Sequence, residues 1–365
     1  MIKSLINLYK LLNNNNLDVI FYSEGTSYYF HFESILKHMI NKKISFKYYT
    51  SDKNDECFKN NNLNTKCFYI GKGLSRLLFF SLLDCKILIM SMPDLDNYYI
   101  KKSRKNVHYI YVQHSLISKH MGYNKNAFNN FDTIFCSTDY HLKEIIQLEK
   151  LYNLKIKKKF KHGYGKLDSL INKKNKKKFI NNYILLAPSW HKNSLIDNGL
   201  DKIIEILLIN NYIVNFRPHS ETIIRNFKKI KFIIKKYRDN DHFIYSNNFS
   251  NDVFFKAEYL ITDWSGIAYE YSFSTLRPTI FINTDKKISN KNYKELSIVP
   301  FEISSRNKIG ISINNIENII NEIKDLKLNH KKYETIIKEI RNNKIYNLGN
   351  SGEAAVNYID KMINK

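Results

Sequence analysis

The sequence predicts an α/β protein built from two doubly wound domains of parallel sheet that face each other across a cleft. Short apolar runs alternate with helical patterns through most of the 365 residues, as expected for parallel strands covered by helices. The alternation starts afresh after the lysine-rich stretch 171–178, which indicates a second domain. Polar residues directly follow several apolar runs, at the strand ends where doubly wound sheets bind ligands.

The first half of the chain alternates runs of strand length with amphipathic segments. Strands are predicted at 18–23, 45–49, 67–70, 86–91, 108–113, 132–137 and 159–162. Helices are predicted at 31–41, 74–83 and 138–150. The opening MIKSLINLYKLL predicts a frayed amphipathic helix rather than a targeting peptide, because four asparagines interrupt it and no small-residue cleavage site follows.

The second half repeats the alternation with new elements. Strands are predicted at 183–187, 212–216, 242–245, 259–262 and 279–283, and helices at 199–209, 221–236 and 265–274. Helical character runs from 314 to 364 with a break near 349–352. We therefore expect an N-terminal domain over 1–172, a C-terminal domain over 173–345, and a final helix over 346–365 that crosses back to the first domain.

Composition bounds the function. Lys and Arg number 58 against 34 Asp and Glu, a formal net charge of +24 that suits nucleic acid, an anionic membrane or anionic substrates. Part of this surplus is expected to be compositional drift, since lysine and asparagine fill surface positions throughout. A hydrophobic content of 43% excludes wholesale disorder.

The longest apolar stretches fall far short of the roughly 20 residues of a membrane-spanning helix. The four cysteines lack the spacing of a zinc site and are expected to be reduced thiols; they are Cys57, Cys67, Cys85 and Cys136.

The most informative segment is YLITDWSGIAYEYSFSTLRPTIFIN at 259–283. It predicts a strand, a turn rich in hydroxyl and glycine residues, a helix and a second strand. Such a helix start can bind an anion, because its first N–H groups lack partners within the helix and the helix dipole favours negative charge. An ordinary capped helix without a ligand explains this motif equally well.

Polar groups at four other strand ends strengthen the anion-site interpretation. They occur as QHS at 113–115, HGYGKLD at 162–168, PSWHK at 188–192 and RPHSE at 217–221. Because the carboxyl ends of parallel strands meet at one edge of a sheet, these groups are expected to line the cleft.

Taken in order, these motifs resemble the CDP-glycerol glycerophosphotransferase family, the polymerases and primases of teichoic acids and related capsular polymers. The resemblance spans roughly 113–283 and lies in QHS, GYGKLDSL, APSWHKNSL, FRPHSE and ITDWSGIAYEYSFSTLRPTIFIN. The chain departs from the family pattern at four positions. Ser115 stands where the family has Gly, Lys166 and His191 each stand for an Arg, and Gly266 stands for a second Ser.

The resemblance implies a GT-B type fold of two Rossmann-like domains, with the acceptor on the N-terminal side and the nucleotide donor on the C-terminal side. It implies transfer of a phosphoalditol from a CDP-activated donor to a hydroxyl, with no metal and no other cofactor. The acceptor would be a lipid-linked or polymeric glycan, and the enzyme would be cytoplasmic and peripheral on the inner face of the cell membrane. Nucleic acid is not expected as a partner.

Two histidines are the predicted catalytic residues. His114 ends a strand, and an imidazole titrates near working pH as a general base must; a histidine that only caps the following loop is the alternative, and His120 and His141 are other candidates for the base. His219 is placed on the donor phosphates to help expel CMP. Arg217 is either a phosphate clamp or the partner of a carboxylate.

The remaining predicted donor-binding residues surround the helix start. Backbone N–H groups of 262–266 and the Ser265 hydroxyl receive the pyrophosphate, and Gly266 allows close approach. Glu270 is expected on the ribose hydroxyls or, alternatively, in solvent, and Asp263 is a candidate N-cap of the same helix. The full set of predicted donor-binding residues is Arg217, Thr262, Asp263, Ser265, Gly266, Glu270, Ser189, His191 and Lys166.

Three other functions compete with this prediction. A nucleotide-sugar glycosyltransferase of the same fold would use His114 against a sugar carbon, and a nucleotide-sugar epimerase would offer more carboxylates in the cleft. A nonenzymatic basic protein that binds membrane or nucleic acid is disfavoured, because the polar groups gather at strand ends and no nucleic-acid motif occurs. The segment LSRLLFFSLL at 74–83 is either a membrane-docking helix or, as is more common, a helix that covers a sheet.

Overall fold

The computed structural model describes residues 18–174, 179–247 and 252–364. Its first sheet has seven parallel strands in the order β3-β2-β1-β4-β5-β6-β7. The strands are Val19–Ser23 (β1), Lys47–Thr50 (β2), Cys67–Tyr69 (β3), Ile87–Met90 (β4), His108–Val112 (β5), Thr133–Cys136 (β6) and Lys158–Lys161 (β7). Every residue of β1 is buried, which explains its continuous apolar run, because a central parallel strand is covered on both faces.

Helices on both faces complete the first domain. They are Thr26–Asn41 (α1), Leu74–Leu82 (α2), Lys119–Gly122 (α3), Asp139–Leu151 (α4) and Gly165–Lys174 (α5). Local chemistry sets their starts: the Asp52 carboxylate accepts from the backbone N–H of Thr26 at 3.2 Å, and the Thr138 hydroxyl caps α4.

The second sheet has six parallel strands in the order β10-β9-β8-β11-β12-β13. These are Tyr183–Leu186 (β8), Ile213–Phe216 (β9), Phe243–Tyr245 (β10), Tyr259–Thr262 (β11), Thr279–Ile282 (β12) and Gly310–Ile313 (β13). The associated helices are Leu200–Ile209 (α6), Ser220–Arg225 (α7), Phe227–Tyr237 (α8), Asp252–Lys256 (α9), Ile267–Thr275 (α10), Phe301–Ser304 (α11), Ile319–Leu328 (α12) and His330–Lys344 (α13). The predicted fold class, two parallel-sheet α/β domains, is confirmed.

The final helix, Ser351–Ile363 (α14), packs on the first domain. Its residues Ala355, Val356 and Ile359 share one apolar core with Val19 and Phe21 of β1. The carboxylate of Asp168 in α5 accepts from the backbone N–H groups of Gly349 and Ser351, at 2.7 and 2.9 Å, and so holds the start of this helix. A second shared core joins the lobes directly, with Tyr164 and Leu167 of one beside Leu260 and Tyr269 of the other.

The structure differs from the predicted elements in four respects. Helix α1 begins at 26 rather than 31, and the helix predicted over 221–236 is two helices separated at Asn226, whose φ of −116° and ψ of 30° are not helical. Strand β13 was missed because it is short and lies at a sheet edge, where an added Cβ on Gly310 would overlap the carbonyl of Thr279. Also missed were α9 and the helices at 119–122, 165–174 and 301–304.

The predicted N-terminal amphipathic helix lies outside the described residues. Within the described ranges, no helix is both long enough and apolar enough to cross a bilayer. The four cysteines are free and buried.

Candidate active site

The cleft is formed at the points where strand order reverses in each sheet. In the first sheet this point lies between β1 and β4, and in the second between β8 and β11. Ser91 directly follows β4, and Asp263 directly follows β11. Connections leave such a pair of strands in opposite directions, which opens a crevice at their carboxyl ends.

His114 lies just past β5 and is held by groups of its own lobe. Its Nδ1 lies 2.7 Å from the carbonyl oxygen of Ser91 and 3.0 Å from the Tyr111 hydroxyl, and its Nε2 lies 3.2 Å from the Tyr123 hydroxyl. A carbonyl can only accept, so Nδ1 carries the proton and Nε2 presents its lone pair. The ring is partly exposed and is oriented as a base whose second nitrogen is fixed.

The surroundings keep this imidazole neutral. Burial lowers the pKa of His114 to about 3, with the cations of Lys119, Lys287 and Lys166 acting in the same direction. Nε2 is therefore unprotonated at working pH. A bound anionic substrate would raise this pKa, because negative charge favours the imidazolium form.

Arg217 and His219 follow β9 on the other wall. Nη1 of Arg217 is buried and has no hydrogen-bond partner among the described residues, and burial lowers the pKa of this guanidinium to about 10. His219 does not continue the strand but caps α7, its Nδ1 accepting from the backbone N–H of Glu221 at 3.1 Å. Its proton is therefore on Nε2, which can donate to an anion.

His219 shares its electrostatic surroundings with His114. Desolvation within the cleft lowers the pKa of His219, and Lys287, Lys166 and Arg217 lower it further. Lys287 and Lys166 act on both rings, so the two predicted catalytic histidines face the same cationic region.

The start of α10 lies against the opposite lobe. The helix begins at Ile267 with Gly266 at its N-cap, and both Ser265 and Gly266 are partly exposed. An added Cβ on Gly266 would overlap the Ser115 hydroxyl and contact Ile117 at 3.4 Å. The two lobes meet at this point with a hydroxyl from the first beside the helix start of the second.

Two residues predicted to bind the donor, Thr262 and Asp263, instead stabilise the second lobe. The Thr262 hydroxyl is buried and donates to the carbonyl of Ala187 at 2.6 Å. Asp263 is not the N-cap of α10: its carboxylate accepts from the backbone N–H groups of Ser189 and Leu195, both at 2.8 Å. These side chains tie β11 to the loop after β8, because buried amide groups require partners.

Glu270 occupies neither of the two environments expected for it. It is buried, its carboxylate accepting from the Tyr164 hydroxyl and pairing with the Lys166 ammonium, both at 2.6 Å. A buried carboxylate needs such partners. Glu270 and Lys166 thus join the two lobes, so Glu270 has no free oxygen for a ribose and Lys166 is not an unpaired cation.

Ser189 and His191 form a linked pair beside the cleft. The Ser189 hydroxyl lies 2.7 Å from Nδ1 of His191, whose Nε2 lies 2.7 Å from the carbonyl of Asp285. Nε2 must donate to that carbonyl, so Nδ1 accepts from the serine. Both side chains anchor the segment after β12 to the loop after β8.

The alternative candidates for the base, His120 and His141, make buried polar contacts. His141 is fully buried, with Nε2 2.9 Å from the carbonyl of Ile117. His120 is buried with Nδ1 3.3 Å from Glu144 and Nε2 3.0 Å from the carbonyl of Ile298. Neither ring is open to the cleft, because both side chains are buried.

Sequence reasoning missed Lys287, which lies in the segment after β12. Its Nζ lies 4.2 Å from the centre of the Trp190 ring, and burial lowers its pKa to about 8. It lines a small cavity between the lobes together with Ile117, Ser265 and Trp264. The sequence offered no signal, since Lys287 is one of many lysines in polar stretches and follows no recognisable motif.

Ser91, Tyr111 and Tyr123 were also missed. Their polar atoms contact His114; Ser91 and Tyr111 lie at the ends of the strands predicted over 86–91 and 108–113, whereas Tyr123 lies in no predicted element. In the described part of the chain, no group of three or more His, Cys, Asp or Glu residues could hold a metal ion.

Two parallel-sheet domains that face each other across a cationic cleft, with a helix start at its edge, define a protein of the GT-B fold class. The family model of CDP-glycerol:poly(glycerophosphate) glycerophosphotransferase matches residues 4–361. The chain belongs to this family, and the resemblance found in its motifs is confirmed.

Solved structures agree on the fold. The wall teichoic acid polymerase TagF superposes with a TM-score of 0.65 at 16% identity, over 95% of this chain and 89% of the polymerase chain. A TagF variant soaked with CDPG gives a TM-score of 0.67 at 16% identity, over 99% and 92% of the two chains. The UDP-GlcNAc 2-epimerase of Methanocaldococcus jannaschii, in complex with UDP-GlcNAc and UDP, gives 0.59 at 15% identity, over 95% and 99%. No curated protein sequence matches the chain significantly.

Proposed function

We propose that this enzyme transfers a glycerol phosphate-like group from a CDP-activated alditol to a hydroxyl of a glycan acceptor, in the synthesis of teichoic acid or a related surface polymer. Family membership supports this reaction type, and TagF, named as a wall teichoic acid polymerase, shares the fold. The observation that carries the proposal is a pair of cleft cations, Arg217 and Lys287, that form no salt bridge within the described residues: Nη1 of Arg217 has no hydrogen-bond partner there, and Nζ of Lys287 lies over the Trp190 ring.

The second lobe binds the donor in this scheme. The pyrophosphate lies at the start of α10, where backbone N–H groups and the Ser265 hydroxyl donate to it. The Arg217 guanidinium neutralises the phosphate that leaves with CMP, and Nε2–H of the neutral His219 donates a hydrogen bond to it. Positive charge placed where negative charge develops lowers the barrier to transfer.

The first lobe activates the acceptor. Its hydroxyl oxygen attacks the phosphorus that carries the alditol, while Nε2 of His114 accepts the hydroxyl proton. A new P–O bond forms, the bond to the CMP phosphate breaks, and CMP leaves with its phosphate anionic. The Ser91 carbonyl keeps the ring in the required tautomer and stabilises the imidazolium that results.

Cleft cations and backbone N–H groups supply the charge stabilisation in this scheme, so we propose that no metal ion or other cofactor takes part. Calorimetry with CDP, UDP and CMP, with and without Mg²⁺, tests this directly. Tightest binding of CDP, unchanged by EDTA, supports the proposal. Tightest binding of UDP would instead favour a nucleotide-sugar enzyme, the alternative raised by the structural likeness to the epimerase.

Three variants test the assignment of roles. His114→Ala should abolish transfer, measured by mass spectrometry with a panel of CDP-alditols, while donor affinity stays within a few fold. Arg217→Ala and Ser265→Ala should instead weaken donor binding. His242→Ala changes an exposed histidine outside the cleft and is the control. Equal loss of donor affinity in all three variants would contradict the assignment.

We further propose that the enzyme acts on a lipid-linked acceptor at the inner face of the cell membrane, as a cytoplasmic peripheral protein. Helix α2 buries Phe79 and Phe80 but exposes Leu74, Leu78 and Leu82, which are four residues apart and so share one face. Exposed Tyr98 and Tyr99 and the basic stretch KKSRK at 101–105 follow.

The basic stretch lies beside this helix, because the Ser103 hydroxyl donates to the carbonyl of Leu83 at 2.6 Å. An apolar stripe next to clustered cations suits an anionic lipid surface, to which each nearby cation contributes about 1 kcal/mol. One face of α2 covers the sheet, and we propose that the exposed leucine face docks to lipid.

Vesicle sedimentation tests the membrane proposal. Binding should require anionic lipid and weaken in the variant Leu78→Glu/Leu82→Glu. The control, Ile209→Glu/Leu328→Glu, changes two exposed apolar residues of the second lobe. Equal binding by both variants would refute this docking surface while leaving the transfer reaction untouched.

A further inference from the structure

Lys119 is a buried lysine whose ammonium has no hydrogen-bond partner in the described part of the chain. The residue is 1% exposed, and its backbone N–H donates to Glu144 at 2.5 Å. No carboxylate of the described residues forms an ion pair with its Nζ. Burying an ammonium without a direct counter-charge is costly, so its surroundings should explain its presence.

Those surroundings are aromatic. Nζ lies 4.3 Å from the centre of the Tyr123 ring, 5.1 Å from that of Phe128 and 5.5 Å from that of Tyr111. Three rings within about 6 Å form a cation-binding cage, which we call the tyrosine cage. The rings stabilise the ammonium but do not cancel its positive charge. The charge therefore acts on neighbouring groups through the low-dielectric interior.

The tyrosine cage is also the wall against which His114 rests. The hydroxyl of Tyr111 lies 3.0 Å from Nδ1 of His114, and that of Tyr123 lies 3.2 Å from Nε2. The same two side chains therefore contact Lys119 through their rings and the imidazole through their hydroxyls. Lys119, the two tyrosines and His114 form one continuous packed unit.

We propose that Lys119 is a positioning residue that keeps His114 neutral and ready to accept a proton, by holding a positive charge behind the two tyrosines that bracket the imidazole. The proposal rests on the role of His114 in the proposed function. If Lys119 only filled space, its substitution would leave the pKa of His114 unchanged. An experiment can therefore distinguish the electrostatic role from a packing role.

Other charged or titratable groups also face this unit. Those around the imidazole are Tyr28 and His31 of α1, Lys166 of α5 and Lys287 of the segment after β12. Those around the ammonium are Glu144 of α4, Glu302 of α11, Cys136 of β6 and His141 of α4. Among the cations acting on His114, Lys119 has the largest effect on its pKa.

Lys119 is positively charged over the pH range in which His114 takes up its proton. Burial lowers the pKa of Lys119 to about 7, so Lys119 is charged at the lower pH values where His114 takes up its proton. Its charge disfavours the imidazolium. Removal of that charge should therefore move protonation of His114 to higher pH.

The test is the acid titration of His114, followed by imidazole ¹⁵N NMR in the full chain and assigned with His114→Gln. In Lys119→Met and Lys119→Gln, both neutral, the midpoint should rise above that of the wild type. Lys119→Arg keeps the charge and should titrate near wild type. Lys157→Met is the control, since Lys157 is another buried lysine of this lobe and its ammonium donates to the carbonyl of Lys155.

Transfer assays provide a second readout. The acid limb of kcat/KM should move upward with the NMR midpoint in the neutral variants and stay in place in Lys157→Met. An unchanged His114 midpoint in both neutral variants would overturn the proposal. Because the titration needs no catalysis, that outcome is distinct from failure of the proposed function, which absence of transfer by the wild-type enzyme would reveal.

Discussion

The departures from the family pattern at Ser115 and Gly266 are structurally linked. They are two of the four departures from the family pattern, and in the structure they face each other across the lobes, with no room for a Cβ on residue 266 beside the Ser115 hydroxyl. The pattern that the chain resembles has glycine on the first lobe and serine on the second. Here the hydroxyl comes from the opposite lobe.

This exchange predicts compensation. Gly266→Ser should weaken donor binding, because its side chain collides with Ser115, and the double variant Ser115→Gly/Gly266→Ser should recover affinity. Calorimetry with CDP over the four-member cycle measures the coupling, which for residues in contact is expected at roughly 0.5–3 kcal/mol. Additive effects would show that the two positions act independently.

Lys287 should influence both the acceptance of the proton by His114 and the departure of CMP beside His219. Lys287→Met removes a cation that acts on His114 and His219 alike, so it should lower kcat/KM for transfer by at least tenfold while Lys287→Arg retains most activity. Steady-state kinetics provides the measurement. Lys286→Met, the exposed neighbour, is the control, and equal effects at the two positions would argue against a specific role.

At the scale of elements, the turn before α5 holds the end of the chain in place. Gly163 has a φ of +103°, and a Cβ there would overlap the backbone carbonyl of Tyr346 and the side chain of Ser351. The turn thus packs directly against the segment that leads into α14, and Asp168 then anchors the start of α14.

Gly163→Ala should therefore destabilise the protein by about 2–4 kcal/mol, through backbone strain of about 1–3 kcal/mol plus the overlap. Gly349→Ala is the matched control: its φ is +86° but no atom lies within 4 Å of an added Cβ, so it suffers strain alone. Urea unfolding compares them. Equal losses would mean that the close approach to Tyr346 is unimportant.

Most elements could be predicted because their signals are local. The buried run of β1 and the stripe of α1 follow from side-chain periodicity, and the hydroxyl and glycine residues before α10 mark a helix start. Strand β13 and the break at Asn226 could not be predicted. The first depends on an edge position beside Thr279, and the second on the short cap supplied by His219.

The whole molecule is tied together by contacts between the lobes. The Glu302 carboxylate accepts from the backbone N–H of Ser118 at 2.9 Å, and the Asn290 amide donates to the carbonyl of His120 at 2.9 Å. These contacts carry the segment after β12 across to the first lobe. The same segment places Lys287 in the cleft, so the interlobe contacts also organise the site.

Buried neutral histidines make the stability of the whole protein depend on pH. Burial lowers the pKa of His162 to about 3, whereas an unfolded histidine binds its proton near pH 6.5. Between these values the unfolded state holds more protons, so stability falls as pH decreases. His31, His114 and His141 are shifted in the same direction.

His162→Phe isolates one of these contributions, since the His162 ring packs 5.0 Å from that of Phe135 and phenylalanine does not titrate. Between pH 6.5 and 5.0 the variant should lose about 1.6 kcal/mol less stability than wild type, from about 1.4 kcal/mol per pH unit weighted by the protonated fraction of the unfolded histidine. Urea unfolding at both values measures this. Parallel losses would show that His162 is protonated in the native state.

The sequence by itself determined the two parallel-sheet domains, the helix start at 265–266 and the placement of His114 and His219 near strand ends, because each depends on neighbours within a few residues. Only the tertiary structure decided that Glu270 binds Tyr164 and Lys166, that Asp263 holds a loop, and that Lys287 enters the cleft. These partners are far apart along the chain, and a side chain's role depends on which distant groups the fold brings within a few ångströms of it.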